Sequence, residues 1–281
     1  MRARWGVVFG CCMSVLVLVT TLQVSAKIDA DAVAGMWLFE EGRGDIANDS
    51  SGRGNNGKIA GPVKWVNGKF GQAMEFDGQS TWVEVQSNDT LVLEELTMVA
   101  WGKIKSSKGV RWQSIMMKGQ NPRNYLMVVD KDTQRLQLSI TKGAIDAWGG
   151  IIEGPEITDD EWRHLAAVIG EETGLVTYVD GVQVGQAAYV VPSLDAAPEV
   201  LRIGDGSSGG HQLEGLLDEV AIFNIPLEAD DILDIMNNGL EVVTGLRAPV
   251  EPRGKLAAIW GSLKSEFQSA DNLIPAIYNK P

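Results

Sequence analysis

Cysteine and histidine are scarce, with two of each among 281 residues. Both cysteines, Cys11 and Cys12, fall in an N-terminal segment that we expect to be removed, and no full apolar stretch precedes Cys11 as a lipoprotein signal requires. The mature chain is therefore expected to contain no thiol, disulfide or cysteine-bound metal. The histidines, His164 and His211, have no serine or cysteine nearby in a recognisable nucleophile motif, so a catalytic triad is not predicted.

Positive charge is also in short supply. The chain has 24 Lys and Arg against 37 Asp and Glu, which gives a formal net charge of -13. Binding to nucleic acid or to an anionic membrane surface needs clustered Lys and Arg. We therefore predict no nucleic-acid partner, whereas the negative field suits solubility and the binding of cations.

Residues 1–26 have the features of a signal peptide. Two arginines precede a mostly apolar stretch over residues 7–22, and Val24-Ser25-Ala26 supplies the small residues that favour cleavage after Ala26. The alternative is an uncleaved membrane anchor, but Ser14 and two threonines interrupt a stretch that needs about 20 apolar residues to span a bilayer. We predict a secreted protein, extracellular or periplasmic, with no membrane insertion after cleavage.

Between residues 33 and 223, short apolar or alternating segments are separated by turn residues. Thr81-Trp82-Val83-Glu84-Val85 alternates between the two faces of a strand, and Asp180-Gly181 between two such segments predicts a hairpin. About a dozen short strands without βαβ alternation predict an all-β sandwich or jelly roll. One helix is predicted over residues 227–238, where apolar residues recur at helical spacing before Gly239.

The pattern changes after Gly245. Residues 248–254 have the composition of a linker, and residues 255–268 carry large apolar residues at helical spacing. Two interpretations of this tail stay open: a short helix that docks on the domain or frays, or a recognition tag for export or attachment. The predicted organisation is a signal peptide over 1–26, one domain over 27–245, and a linker and C-terminal tail over 246–281.

Four motifs occur in order along the chain: Trp37-Leu38-Phe39 ahead of a Gly/Asn-rich loop, Phe76-Asp77-Gly78, the hairpin around Asp180-Gly181, and Leu217-Asp218-Glu219. Together they resemble the laminin-G-like members of the concanavalin-A-like lectin/glucanase superfamily. The resemblance implies an all-β fold of two antiparallel sheets with jelly-roll topology over residues 27–245. It implies no single function, because this superfamily includes lectins, adhesion modules and glycosidases.

Calcium (Ca²⁺) is the candidate cofactor, in a structural role. Asp49, Asp77 and Asp218 lie beside turns or strand ends in motifs that resemble the family's ion-binding edge, and Asn55 and Gly57 offer further oxygens. The alternative for Asp77 is turn chemistry, in which the carboxylate caps backbone N–H groups. For Asp218 the metal is favoured, because a carboxylate in an otherwise apolar strand needs a partner.

Ligand contacts are predicted in loops that combine aromatic and polar side chains, since an apolar surface with a few placed polar groups is typical of small-molecule sites. The candidates are Arg111, Trp112, Arg123, Tyr125, Trp148 and His211. The alternative for Trp112 and Trp148 is that they cover the rim of the sandwich and lock its loops. His164, at the start of an apolar strand, is predicted to be a structural histidine.

Catalysis is not predicted. Retaining glycosidases of the superfamily carry two glutamates flanking an aspartate on one strand face, whereas Glu214, Asp218 and Glu219 have the wrong spacing. We expect a non-catalytic, secreted or cell-surface module that binds an extracellular glycan or protein. A structural or adhesive surface component attached through its tail is the first alternative, and a glycoside hydrolase with an atypical site is the second. The sequence indicates neither the ligand nor the oligomeric state.

Overall fold

The computed structural model of the chain describes residues 27–119, 123–142, 147–190, 199–206 and 210–246. For residues 123, 141, 142 and 147–149 the description covers the backbone alone. The predicted signal peptide and the tail from residue 247 lie outside the described residues, so both stay predictions. No helix in the described ranges is long and apolar enough to cross a membrane.

The described residues form sixteen β-strands, two α-helices and two short 3₁₀ turns. The strands are β1 (Val33–Trp37), β2 (Ile46–Ala47), β3 (Gly57–Ala60), β4 (Trp65–Asn67), β5 (Gln72–Asp77), β6 (Trp82–Val85), β7 (Leu96–Lys105), β8 (Gln113–Gly119), β9 (Arg123–Val129), β10 (Arg135–Lys142), β11 (Ala147–Glu156), β12 (Asp159–Gly170), β13 (Gly174–Val179), β14 (Val182–Ala187), β15 (Leu201–Ile203) and β16 (Glu214–Phe223). The helices are α1 (Ala229–Asn238) and α2 (Leu240–Thr244).

These strands make two eight-stranded sheets. Sheet A has the order β14-β13-β12-β7-β16-β5-β4, with β1 also paired to β16, and sheet B has the order β11-β10-β9-β8-β15-β6-β3-β2. The paired strands are antiparallel, and many neighbours are distant in sequence, as β7 and β16 are. Long-range antiparallel pairing of this kind is typical of a jelly roll. The predicted all-β, two-sheet fold is confirmed.

The main core lies between the two sheets, and strand alternation explains which side chains enter it. In β9, Tyr125, Met127 and Val129 are fully buried in this core, whereas Leu126 and Val128 belong to a separate small cluster. Successive side chains of a strand point to opposite faces, so one face of β9 packs against sheet A. The other long strands also direct one face of their side chains into this core, so the two sheets pack against each other.

A second apolar layer covers the outer face of sheet A. Ile232 and Ile235 of α1 and Leu240 of α2 are completely buried in this layer, together with Ile28 from the start of the described chain. The helix α1 carries acidic residues in its first turn, which suits the positive end of the helix dipole, and it ends at Gly239 with φ of +80°. The predicted helix over 227–238 is confirmed, although it begins two residues later and a second short helix follows.

A β-bulge in β16 presents two successive carboxylates to this outer layer. The register between β16 and β7 shifts between Asp218 and Ala221, and Glu219 has φ of +50°. Asp218 Oδ2 accepts hydrogen bonds from the amides of the turn after β4, whereas Glu219 Oε2 accepts one from the amide of Leu240. The bulge therefore ties both the turn and the second helix to the sheet.

Candidate functional site at the rim of the sandwich

Two connections meet at one end of the sandwich. The connection from β7 to β8 contains Arg111 and Trp112, and the connection from β15 to β16 contains His211. The two are joined by hydrogen bonds from Ser114 N to the His211 carbonyl (2.8 Å) and from Arg111 Nε to the Gln212 carbonyl (2.9 Å). The rings of Trp112 and His211 contact edge to face, with centroids 6.0 Å apart.

The turn between β9 and β10 orients the indole of Trp112. Trp112 Nε1 donates a hydrogen bond to Asp130 Oδ2 at 3.2 Å, and the Lys131 ammonium lies 5.1 Å from the centre of the indole ring. Trp112 is still 36% exposed. We call Arg111, Trp112, Lys131 and His211 the Trp112 cluster: a partly exposed aromatic surface whose polar edge is anchored and whose surroundings offer hydrogen-bond donors.

Asp130 is held in its charged form beside this cluster. Burial works to raise the pKa of its carboxyl, but hydrogen bonds from Thr133, Asp132 and Trp112 outweigh burial and leave that pKa below its ordinary value. A carboxylate that accepts several hydrogen bonds is a fixed acceptor. The Trp112 indole therefore donates to a charged acceptor, which favours this orientation of the ring.

The Asp77-Gly78 turn supports the cluster from the sheet A side. Arg111 Nη2 lies 3.3 Å from Glu214 Oε2, and a Cβ at residue 78 would come within 2.6 Å of Arg111 Nη2. The carboxylate of Asp77 caps its own turn: it accepts hydrogen bonds from the amides of residues 79, 80 and 81 at 2.7–2.9 Å. Burial opposes its ionisation, but these bonds dominate and lower the pKa of Asp77.

Three of the six predicted ligand residues come together, namely Arg111, Trp112 and His211. Tyr125 was wrongly predicted as a ligand residue: it is completely buried in the main core, and its hydroxyl donates to the Leu91 carbonyl at 2.9 Å. The backbones of Arg123 and Trp148 lie in β9 and β11, and their side chains lie outside the described part, so both stay predictions. Sequence reasoning missed Lys131 and Asp130, whose only signal was the turn sequence Asp130-Lys131-Asp132-Thr133.

The residues predicted to bind calcium do not all come together: Asp49 and Asn55 share one loop, whereas Asp77 and Asp218 contact other turns. Asp49 is nearly buried, and its two carboxylate oxygens accept hydrogen bonds from the amides of Met36, Ser51 and Asn55 at 2.8–3.0 Å. The Asn55 side chain donates to the carbonyl of residue 34 and to the hydroxyl of Thr90. Gly57 lies within the ladder of β3, between β2 and β6. Backbone donors occupy both carboxylate oxygens of Asp49, whereas the side-chain oxygen of Asn55 is buried without a hydrogen-bond partner in the described residues.

Asp77 and Asp218 do not join that loop, because Asp77 caps its own turn and Asp218 binds the turn after β4. Within the described ranges, no group of three or more His, Cys, Asp or Glu side chains is arranged to hold a metal ion. The five residues therefore do not fit one calcium site. Calcium binding stays a prediction, which melting with and without EDTA would test.

Asp218 belongs instead to a buried polar row on the outer face of sheet A. Trp101 is the register partner of both Asp218 in β16 and His164 in β12, and all three side chains are at most 4% exposed. Burial raises the pKa of Asp218 to about 8 and the pKa of the adjacent Glu219 to about 7, and it lowers the pKa of His164 to about 4. His164 is therefore neutral at pH 7, as a structural histidine is expected to be.

The carboxylates that a glycosidase would need are dispersed. Glu214 forms an ion pair with Arg111 at the rim, whereas Asp218 and Glu219 are buried beneath the turn and α2. Two catalytic carboxyls must flank one open cleft. These three side chains instead tie connections to the sheet.

Comparisons with solved structures agree with the fold. The binding domain of Paraclostridial Mosquitocidal Protein 1 aligns with a TM-score of 0.60 at 14% identity, over 74% of this chain and 52% of that chain. The binding domain of botulinum neurotoxin DC, solved with rat synaptotagmin II, gives 0.59 at 13% identity over 75% and 52%. Domain 4 of AbnA, a GH43 extracellular arabinanase from Geobacillus stearothermophilus, solved with arabinotriose, gives 0.54 at 19% identity over 73% and 98%.

The chain spans about half the length of the toxin domains that it matches. No curated protein matches its sequence. A laminin G family model, described as the concanavalin A-like lectin/glucanases superfamily, matches residues 77–233, which is more than half of the chain. The match includes β6 to β16, the Trp112 cluster and the first half of α1. This chain belongs to the laminin G family of the concanavalin A-like lectin/glucanases superfamily.

Proposed function

We propose that this chain is an exported, non-catalytic module that binds carbohydrate at the Trp112 cluster. The observation that carries the proposal is the convergence of Arg111, Trp112 and His211 from two connections at one end of the sandwich. A saccharide presents an apolar C–H face and a ring of hydroxyl groups. A fixed indole face bordered by donors and acceptors complements both.

The similar structures support a binding role without naming this chain's ligand. Two are binding domains of toxins, one of them solved with the protein synaptotagmin II, and the third is an arabinanase domain solved with arabinotriose. Both protein and carbohydrate ligands are therefore represented on this fold. The Trp112 cluster favours carbohydrate, because its apolar surface is one indole and polar groups surround it, whereas protein interfaces bury a larger apolar patch.

The test is an oligosaccharide array probed with the full chain and with Trp112→Ala. Truncation of a central aromatic contact costs about 2 kcal/mol, so we expect Kd for the best array hit to rise about 30-fold. Trp112→Phe keeps an aromatic face but loses the hydrogen bond to Asp130, and it should give an intermediate loss. Val182→Ala is the control, because Val182 is 64% exposed on the β13–β14 hairpin, which is remote from the cluster in the sheet order.

Three outcomes contradict the proposal. Hits that survive Trp112→Ala unchanged would place the carbohydrate elsewhere on the chain. An array without hits, followed by capture of an extracellular protein that Trp112→Ala abolishes, would replace carbohydrate by protein as the ligand of the same cluster. Release of sugar from any array hit by the purified chain would show that it is an enzyme.

The adhesive alternative depends on the tail, and all but the first residue of 246–281 lies outside the described residues. No described contact favours this alternative over ligand binding. Deletion after Gly245 tests it: loss of the protein from cells or partners, with array binding retained, would assign attachment to the tail.

A further inference from the structure

We propose a second binding site in this chain, a buried one that holds internal water between β16, β7 and β12, independently of the rim. We call Asp218, Trp101 and His164 the polar row, because they are register partners on three neighbouring strands. The Trp101 and His164 ring centroids are 5.3 Å apart. Side chains directly opposite on paired strands lie within contact distance, so the row is continuous.

Four polar atoms of this row are buried without a partner. They are Asp218 Oδ1, Trp101 Nε1 and both ring nitrogens of His164, and none has a hydrogen bond to another described residue. Asp218 is completely buried, His164 is 1% exposed and Trp101 is 4% exposed. Buried polar groups in folded proteins are almost always hydrogen-bonded, to protein or to ordered water. Four buried polar atoms without hydrogen-bond partners in one row indicate a binding site for a small polar molecule.

The turn between β4 and β5 packs over the polar row and covers it. Asp218 Oδ2 accepts hydrogen bonds from the amides of Lys69 and Phe70 at 2.8 and 2.9 Å, and the Lys69 ammonium lies 4.1 Å from the centre of the Trp101 ring. The Phe70 ring meets Trp101 edge-on at 6.4 Å. A Cβ at Gly68 would lie 2.5 Å from Asp218 Oδ2, so the turn can approach this closely only with glycine there.

The chemistry of the row identifies water as the occupant. The indole N–H only donates, a neutral imidazole donates with one nitrogen and accepts with the other, and Asp218 Oδ1 donates when the carboxyl is protonated and accepts when it is ionised. A bound cation would face the indole donor and the Lys69 ammonium, both of which repel it. Water both donates and accepts, and a buried water typically forms about three hydrogen bonds, which this row can supply.

The test is a water-selective nuclear Overhauser measurement on the indole N–H groups of the full chain labelled with ¹⁵N-tryptophan. Trp101→Phe assigns the Trp101 signal. Trp37 is the matched control: its indole is completely buried, but Nε1 donates to the Asn55 carbonyl at 2.9 Å, so the protein itself satisfies it. We expect a cross-peak from long-lived water at Trp101 and none at Trp37.

Stability gives a second readout, because Trp101→Phe loses the same buried ring packing in a wet and in a dry site and only the hydrogen bond differs. In a wet site Trp101→Phe removes a hydrogen bond to water, and the unfolding equilibrium constant should rise about 5- to 30-fold. In a dry site the same change relieves an unmet donor, which offsets the lost ring packing, and stability should change little. A missing cross-peak at Trp101, an equal cross-peak at Trp37, or a Trp101→Phe variant as stable as the parent chain would each overturn the proposal.

Discussion

Replacement of Asp218 by asparagine should remove a pH dependence from the stability of this protein. Burial raises the pKa of Asp218 from 3.8 to about 8 in the folded chain. Between those values the folded state holds a proton that the unfolded state has released, so this carboxyl contributes less stability as the pH rises. The asparagine side chain would keep an oxygen for the amides of Lys69 and Phe70 while losing the titration.

The magnitude follows from the linkage of protons to folding. One excess proton in the folded state lowers the free energy of unfolding by about 1.4 kcal/mol per pH unit. In the folded chain, most molecules have a protonated Asp218 from pH 6 to just below pH 8. Over this range the wild type should therefore lose about 2 kcal/mol relative to Asp218→Asn.

The assay is urea unfolding at pH 6, 7 and 8 in EDTA-containing buffer, with a check that the dependence on urea is the same for both chains. Asp77→Asn is the matched control: hydrogen bonds from its own turn lower the pKa of Asp77, so its loss should weaken the fold by an equal amount at all three pH values. Parallel stability curves for wild type and Asp218→Asn would refute the reasoning, because Asp218 would then be ionised in the folded state.

Three further predictions use the same unfolding assay. Burial lowers the pKa of His164 from 6.5 to about 4, so wild type should lose stability relative to His164→Phe as the pH falls from 6.5 to 4, because only wild type must keep this imidazole neutral. Gly78→Ala should lower the free energy of unfolding by about 1–2 kcal/mol, because φ at residue 78 is +71°. It should also weaken array binding, because the new Cβ displaces Arg111. Unchanged binding would show that Arg111 does not contact the ligand. Tyr125→Phe should cost about 1–3 kcal/mol by leaving the Leu91 carbonyl unpaired, and a changed array profile would contradict its assignment to the core.

Strand alternation and turn residues were sufficient to predict the fold class. The hairpin around Asp180-Gly181 joins β13 to β14 as predicted, and Asp180 adopts the left-handed φ of +50° that such a turn requires. The strands β3 and β11 were not predicted, and β11 contains Gly149, Gly150 and Gly154, which are typical of a loop. The two-residue strand β2 and the three-residue strand β4 were not predicted either. Strands of this length have too few residues to show a period, and only pairing with β3 and β5 defines them.

The rim could be predicted only in part, because its members are distant in sequence. Trp112 and His211 were each identified as loop residues, but the sequence contains nothing that joins them across 99 positions. The register of β16 with β7 and of β15 with β8 brings their connections together. Tyr125 was a different kind of error: it shares a strand face with Met127 and Val129, so alternation already assigned it to the core, and its nearness to a loop was given too much weight.

The expectation that Asp218 needs a partner was sound, but the partner type was not readable from the sequence. A buried carboxylate can be satisfied by a metal, by a cation or by backbone amides, and the choice depends on which distant segment packs over it. Here the amides of Lys69 and Phe70 fill one oxygen, some 149 residues earlier in the chain. The spacing of residues in the sequence does not predict that this turn packs against Asp218. The role of Gly68, which permits the close packing, is clear only from the structure.

The rim and the polar row share the strands β7 and β16, yet they can be tested apart. Lys105 and Glu214 mark the rim ends of β7 and β16, and Trp101 and Asp218 lie four residues further along each strand, which is about 13 Å at 3.3 Å per residue. Trp112→Phe removes an indole N–H at the rim, and Trp101→Phe removes one in the row. If the two sites are independent, the first variant should weaken ligand binding with little effect on unfolding, and the second should do the reverse. An effect of Trp101→Phe on Kd would mean that β7 and β16 transmit the packing of the row to the rim connections, and the buried water would then be part of what holds the binding site in shape.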